Sequence, residues 1–460
     1  MTPSPASQFR TFRDPAGSLR IDADRVLRTV RPEFAGATQS FLDSALAQDL
    51  TESGWMVPTQ SLGLQDDGSL ELEHRRIFFP SYPWEWCAEQ WVDAAVLTLE
   101  ICDKLLDHGL ILKDATPLNI LFDGARPVLV DVLSIEPREA SNPIWIAYGQ
   151  FVRTFLLPLM AHKYLGWPLE ASRNRRDGYE PDALYPYLPF AKKWLGPARS
   201  FVTLPVMMDR MGRGVKGVPQ IRFSDDASVA ILRARLRGLK ETVIKLGAAK
   251  KQSHWSDYTE HRNHYADEDS ARKRSFVKAA LEFSRPRTVL DIGANTGEFS
   301  RLAADAGARV IAVDTDAAST GIDYEEARAG RRQILPLHAD FARPTPAAGW
   351  RNRESLSLLD RCRERFDCVM MLGLLHHLLV TDQIPLSEIA HLVFEMSPRW
   401  VIVEWIPPTD PKFVEVCRGR DALYKHLDEE EFKRTFAPFF RTMDRVALKN
   451  GRVLFLLNIR

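Results

Sequence analysis

The chain of 460 residues has few cysteines and none at C-x-x-C spacing. Cys87, Cys102, Cys362, Cys368 and Cys417 make an odd number, which fits reduced thiols in a cytoplasmic chain better than a disulfide framework. The N-terminal stretch MTPSPASQFRTFRDPAG has no apolar core, so no signal peptide is expected. No run approaches the roughly 18 apolar residues of a membrane-spanning helix. Excess charge is missing too. Lys plus Arg and Asp plus Glu both number 61, so no global field draws the chain to nucleic acid. There is no internal repeat, and no lysine precedes Lys104. What remains is 45% hydrophobic and 27% charged, the make-up of a globular chain long enough for two or three domains.

The most informative stretch runs from Thr288 to Asp316. An apolar run ends in Asp291, a glycine turn follows from Gly293 to Gly297, and a helical segment closes at Gly307. A second apolar run then ends in Asp314. This is strand, glycine loop, helix, strand: one unit of a doubly wound sheet. The dinucleotide fingerprint G-x-G-x-x-G is absent, since Asn295 and Glu298 stand where its second and third glycines belong. A pyrophosphate would also sit badly beside Asp291 and Glu298.

The pattern D-x-G-x-x-x-G from Asp291 to Gly297 resembles the first motif of the class I S-adenosylmethionine-dependent methyltransferases. The resemblance implies S-adenosylmethionine as cofactor. Gly293, Asn295 and Gly297 would shape the methionine pocket and Asp291 would support it. Asp314 would hold the ribose, Asp340 the adenine amino group, and Phe341 would lie near the ring. Leu372 and Gly373, at the end of the fourth strand, complete the cofactor set. Tyr258 or Tyr265 would border the pocket. The ends of strands four and five face the acceptor in such a sheet. There stand His376 and His377, of which either is a candidate base, and Glu404, a candidate acceptor ligand. Phe439 to Leu448 and Arg452 to Ile459 read as strands joined by the hairpin signal Asn450-Gly451. The family's closing antiparallel hairpin is thus expected.

In the first half, residues 1–20 read as a mobile polar tail and Arg25 to Val30 as a strand. Phe34 to Leu50 has helical spacing. Trp55 to Leu64 and Leu70 to Pro80 pair around Asp66-Asp67-Gly68, and a long helix spans Gln90 to His108. The stretch LILKDATPLNILFDGARPVLVDVLSIEP follows. Its Asp114, Asn119 and Asp131 resemble the catalytic and magnesium-binding residues of protein-kinase-like and aminoglycoside-phosphotransferase-like folds, and Pro117 matches too. Leu112-Lys113 replaces His-Arg, Val132-Leu133 replaces Phe-Gly, and no glycine loop or phosphate lysine precedes them. The trio is therefore read as a vestigial nucleotide and metal site, and no metal is expected. A helix from Asn142 to Trp167 is expected to bend or end at Pro158. Residues 178–247 form a helical and Pro/aromatic extension, of which Gly178 to Pro205, rich in Pro and aromatics, is an irregular wall or part of an acceptor pocket. The basic loop Gly212 to Gly217 is a solvated loop or a sensor of an anionic acceptor.

The expected fold is α/β. A Rossmann-like doubly wound sheet with a terminal antiparallel hairpin occupies 255–460, behind an α+β kinase-like domain at 1–247. The layout is similar to a group of bacterial two-part methyltransferases that includes a nodulation protein. The expected activity is methyl transfer to oxygen or nitrogen of a small-molecule, saccharide or lipid-linked acceptor. A bifunctional kinase–methyltransferase using ATP and magnesium, and a non-catalytic cofactor sensor, stand as alternatives.

Overall fold

A computed structural model describes residues 9–11, 13–22, 25–212, 223–247 and 264–460. The chain divides into two compact units, Met1–Lys250 with Gly349–Glu354, and Lys251–Ala348 with Ser355–Arg460.

The first unit carries a five-stranded antiparallel sheet. Its strands are β1 (Phe9–Thr11), β2 (Gly17–Asp22), β3 (Arg25–Val30), β4 (Thr59–Leu64) and β5 (Leu70–His74), in the order β1-β2-β3-β5-β4. The expected tail over residues 1–20 is corrected here, because the sheet begins at Phe9. Leu19 and Ile21 alternate with Ser18 and Arg20, a period-2 signal only a few residues long, and β2 pairs along its whole length with β3. Gly17 is required there, since a Cβ would fall 2.4 Å from the Thr29 carbonyl oxygen. The helix expected from Phe34 to Leu50 is two helices, Pro32–Leu42 and Ala45–Glu52. Ser44 breaks the run by accepting the Ala47 amide as an N-cap.

The helix Ala88–Leu106 buries Trp91, Ala94, Thr98, Cys102 and Leu105. Four short strands follow: β6 (Leu110–Leu112), β7 (Ile120–Asp123), β8 (Arg126–Leu129) and β9 (Ile135–Pro137). β7 and β8 form a hairpin, and β6 pairs with β9. Pro158 does not end its helix. A π turn over Val152–Leu156 precedes it, and the helix continues as Leu157–Leu165 up to Gly166. The wide turn absorbs the hydrogen bond that proline cannot donate. Ser224 Oγ accepts the Ala227 amide and caps the helix Asp225–Gly247. That helix buries Leu232, Leu236, Leu239 and Val243 and packs on Ala88–Leu106. Of the basic loop expected at 212–217, residues 213–217 lie outside the described residues.

The second unit is built on seven strands: β10 (Thr288–Ile292), β11 (Arg309–Asp314), β12 (Ile334–His338), β13 (Cys368–Met371), β14 (Trp400–Trp405), β15 (Phe440–Ala447) and β16 (Val453–Ile459). Their order is β12-β11-β10-β13-β14-β16-β15. The first five are parallel, and β16 enters antiparallel beside β14. All residues of β13 and β14 are buried, as strands covered on both faces must be. The order reverses between β10 and β13, which opens a crevice at their carboxyl ends. Trp255 and Tyr258 lie outside the described residues. The helix His264–Ser284 contains Tyr265, but its side chain also lies outside them. No helix among the described residues is long and apolar enough to cross a membrane.

Candidate active site

The crevice is floored by the loop after β10. Three of its residues have left-handed backbones: Gly293 at φ 76°, Asn295 at φ 52° and Gly297 at φ 77°. Glycine meets no Cβ penalty there, and Asn is among the side chains that tolerate the region best. The Gly293 amide donates to the Val313 carbonyl at 2.8 Å, which ties the loop to β11. Asp314, the last residue of β11, accepts the Asn295 amide on Oδ2 at 2.7 Å and the Asp316 amide on Oδ1 at 2.8 Å. The carboxylate therefore clasps the loop and still has lone pairs left. Asp291 lies under the loop, 2% exposed, and accepts Ser300 Oγ at 2.6 Å. Burial pushes its carboxyl up to about 6. The Asn295 side-chain oxygen is buried and has no hydrogen-bond partner among the described residues.

Sequence reasoning missed Asp323. It sits on the helix Ala317–Ala329, 1% exposed, and neither carboxyl oxygen has a hydrogen-bond partner among the described residues. Its Oδ1 fills the space beside Gly297, where a Cβ would fall 1.8 Å away. Burial pushes this carboxyl up to about 7, opposed by Arg301 at 3.9 Å and reinforced by Asp291 and Asp314. A signal was present: an acid stands on the inward stripe Thr320, Asp323, Tyr324, Ala327, where helical spacing calls for apolar residues.

Asp340 follows β12 and turns its Oδ1 back to the amides of Ala342 (2.8 Å) and Arg343 (3.2 Å). Its Oδ2 pairs with the Arg343 guanidinium at 2.6 Å. Phe341 is buried and lines a cavity of about 250 Å³ with Met371, Leu378, Ile384 and Ile389. Leu372 is buried, and Gly373 turns at φ 75°.

The three candidate acceptor-side residues differ in setting. Glu404 is 1% exposed, with Lys273 Nζ 2.6 Å from Oε2 and Arg452 Nη1 3.6 Å from Oε1. Arg452 also holds Asp410 at 2.7 Å. Glu404 is thus a link in a chain of alternating charge whose carboxylates are buried and whose cations are half-buried, not a free carboxylate presented to an acceptor. His376 is buried, and its Nδ1 has no hydrogen-bond partner among the described residues. Burial and the neighbouring cations pull its imidazole down to about 3, so it stays neutral and is a weak base. His377 lies 4.1 Å away by ring centroids and is half-buried. Burial lowers it too, but Asp382 and Asp314 act in the other direction. Of the two, His377 is the more basic.

Residues 258–399 match the family model described as a methyltransferase domain. The C-terminal unit contains a methyltransferase domain. Over 462 aligned residues, 96% of this chain and 94% of the relative, the protein is 29% identical to the nodulation protein NoeA of Rhizobium meliloti (strain 1021). Among solved structures it is similar to the bifunctional kinase-methyltransferase WbdD, at 17% identity and TM-score 0.31, over 41% of this chain and 39% of that one. It is also similar to magnesium protoporphyrin IX methyltransferase from Synechocystis PCC 6803, at 14% identity and TM-score 0.31, over 44% of this chain and 89% of that one.

Outside the methyltransferase domain, Asn119 and Asp131 are drawn into one network, with Asp114 to one side of it. Asn119 donates to Ser134 Oγ at 2.8 Å, and Ser134 Oγ donates to Asp131 Oδ2 at 2.6 Å. The other oxygen of Asp131 meets the guanidinium of Arg28, from β3, at 2.8 Å. Arg28 is itself buried and donates through Nε to His74 Nε2 at 3.1 Å, which burial holds neutral. Asp114 is half-buried, accepts from Gln150 at 3.4 Å, and is pushed up by burial and the charge of Asp131. Among the described residues no three His, Cys, Asp or Glu gather as metal ligands.

Proposed function

We propose that the protein uses S-adenosylmethionine and transfers its methyl group to an oxygen or nitrogen of a small-molecule, saccharide or lipid-linked acceptor. The observation that carries this reading is the clasp of Asp314 on the Asn295 amide, at the carboxyl edge of β11 and beside the point where strand order reverses. The residues fit the cofactor. Two buried carboxyls, Asp291 and Asp323, and the half-buried Asp314 disfavour a phosphate and favour a cation. The left-handed loop leaves the Asn295 side-chain oxygen without a partner among the described residues. When bound, the cofactor supplies an electrophilic methyl on a sulfonium.

In this reading Gly293, Asn295 and Gly297 hold the amino-acid end and Asp291 braces them from below. Asp314 accepts the ribose hydroxyls, while Asp340, Phe341, Leu372 and Gly373 border the adenine. The chain contributes mainly orientation and the exclusion of water. His377 takes the acceptor proton on its imidazole, and His376 packs against it as a neutral ring. Glu404, through Lys273 and Arg452, positions the strand edge. Residues 255–460 form the catalytic domain. Residues 1–247 form a kinase-like scaffold, in which the cation beside Asp131 is Arg28. That pairing speaks against a second, phosphotransferase reading. All five cysteines are free and buried, in keeping with a cytoplasmic chain.

The test is transfer of labelled methyl from S-adenosylmethionine to fractionated cell extract. The wild type is expected to label one fraction. His377→Ala should lower the rate by about a hundredfold, the usual scale of general-base catalysis, with cofactor affinity unchanged. Absence of label in every fraction, despite tight cofactor binding, would leave only the sensor reading.

A further inference from the structure

We infer that the segment from Tyr185 to Met211 is a docking surface for an anionic lipid bilayer. It consists of the short helix Phe190–Trp194, a π turn over Arg199–Thr203 and the helix Leu204–Arg210. Its inward side is small and apolar: Leu188, Ala198, Val202 and Val206 are buried. Its outward side is unusual. Phe190 is 81% exposed, Leu195 67% and Met211 59%, and Tyr187, Trp194, Leu204, Met207 and Met208 are exposed beside them. Leu204, Met207, Met208 and Met211 recur at helical spacing, so they form one apolar edge opposite the buried Val202 and Val206. Thr203 Oγ1 donates to the Lys193 carbonyl at 2.6 Å, which pins the two helices to each other. A concentration of large apolar side chains this exposed marks an interaction site.

Charge decides the partner. Lys192, Lys193, Arg199 and Arg210 rise among these residues, against one acid, Asp209. None of the four cations makes an ion pair with a carboxylate among the described residues. Lys193 and Arg210 instead lie over the ring of Tyr185, at 4.5 and 5.2 Å. The combination of long basic side chains with Trp, Phe, Leu and Met is the composition of interfacial segments. There the rings and methionines enter the acyl boundary while ammonium and guanidinium groups meet anionic headgroups. A protein partner would be expected to answer the cations through shaped, hydrogen-bonded pockets. A bilayer needs only their charge and the apolar edge.

The proposal does not rest on the methyltransferase reading and is tested separately from it. The full-length protein is sedimented with vesicles of phosphatidylcholine alone, or of phosphatidylcholine with about a third phosphatidylglycerol. Binding is expected only to the anionic vesicles and should fall several-fold when salt is raised to about 0.5 M. Two variants divide the contributions: Phe190→Ser with Met211→Ser for the apolar edge, and Lys192→Glu with Lys193→Glu for the charge. Each pair should lower the bound fraction at least about tenfold. Because all four side chains are at least partly exposed, melting temperature and S-adenosylmethionine affinity should not change. Binding to anionic vesicles that both variants retain would overturn the proposal. So would a lack of vesicle binding together with a dimer in sedimentation equilibrium that the Phe190→Ser, Met211→Ser variant dissolves, which would assign the surface to a second copy of the chain.

Discussion

At the level of single residues, the tightest constraint is the contact between Gly297 and Asp323. A side chain at 297 meets two obstacles: a left-handed backbone at φ 77° and a carboxyl oxygen 1.8 Å from the added Cβ. Gly297→Ala should therefore cost about 2–4 kcal/mol in urea denaturation. Adding Asp323→Ala should recover the part due to overlap but not the part due to the backbone. The same carboxyl makes the fold sensitive to pH. Asp291 and Asp323 are raised to about 6 and about 7, so the folded state holds protons that the unfolded chain releases near pH 4. Stability from these groups is full below about pH 4 and is lost as pH rises through 7. Asp323→Asn keeps the shape without the charge. It should flatten the fall between pH 5 and 8 and gain on the order of 2 kcal/mol at pH 8. An unchanged slope in the variant would show that Asp323 ionises as freely folded as unfolded. The glycines, Asn295, Asp291 and Asp314 were legible as a motif, because backbone conformation and strand ends leave a local pattern. Asp323 was not read, because its meaning lies in a contact with a loop twenty-six residues earlier.

At the level of elements, the five parallel strands of the methyltransferase domain were readable because buried parallel strands are continuous apolar runs, and the closing antiparallel pair because Asn450-Gly451 marks a hairpin. The chain of charges across their carboxyl edge was not. Lys273, Glu404, Arg452 and Asp410 come from separate elements and meet only in the fold. Glu404→Gln leaves the half-buried Lys273 without its carboxylate and weakens the hold on Arg452, which keeps Asp410, and should destabilise by about 2–3 kcal/mol in thermal or chemical unfolding. Lys273→Met in the same background should cost less than the sum of the single changes. The first sheet shows the same division. β3 was visible as Arg25 to Val30, but the partner of Arg28 lies more than a hundred residues on, at Asp131. Arg28→Ala should cost about 3–5 kcal/mol for the same reason. The tail expected over residues 1–20 and the single helix over Phe34 to Leu50 failed on short-range cues: a brief alternation around Leu19, and the cap at Ser44.

At the level of the whole molecule, one chain joins a methyltransferase domain to a unit in which Asn119, Ser134, Asp131 and Arg28 are tied up among themselves. ATP with magnesium should not raise the melting temperature of the protein, because the guanidinium of Arg28 already compensates Asp131. S-adenosylmethionine should raise it. The central claim is that the loop from Gly293 to Gly297, clasped by Asp314, holds that cofactor. Calorimetric titration with S-adenosylmethionine, on the wild type and on Asp314→Ala, addresses it directly, with NAD as the control ligand. The expected result is micromolar binding by the wild type, weakened at least about a hundredfold in Asp314→Ala as a charge-assisted pair of hydrogen bonds is lost. No heat with S-adenosylmethionine, or equal affinity in the two proteins, would contradict it.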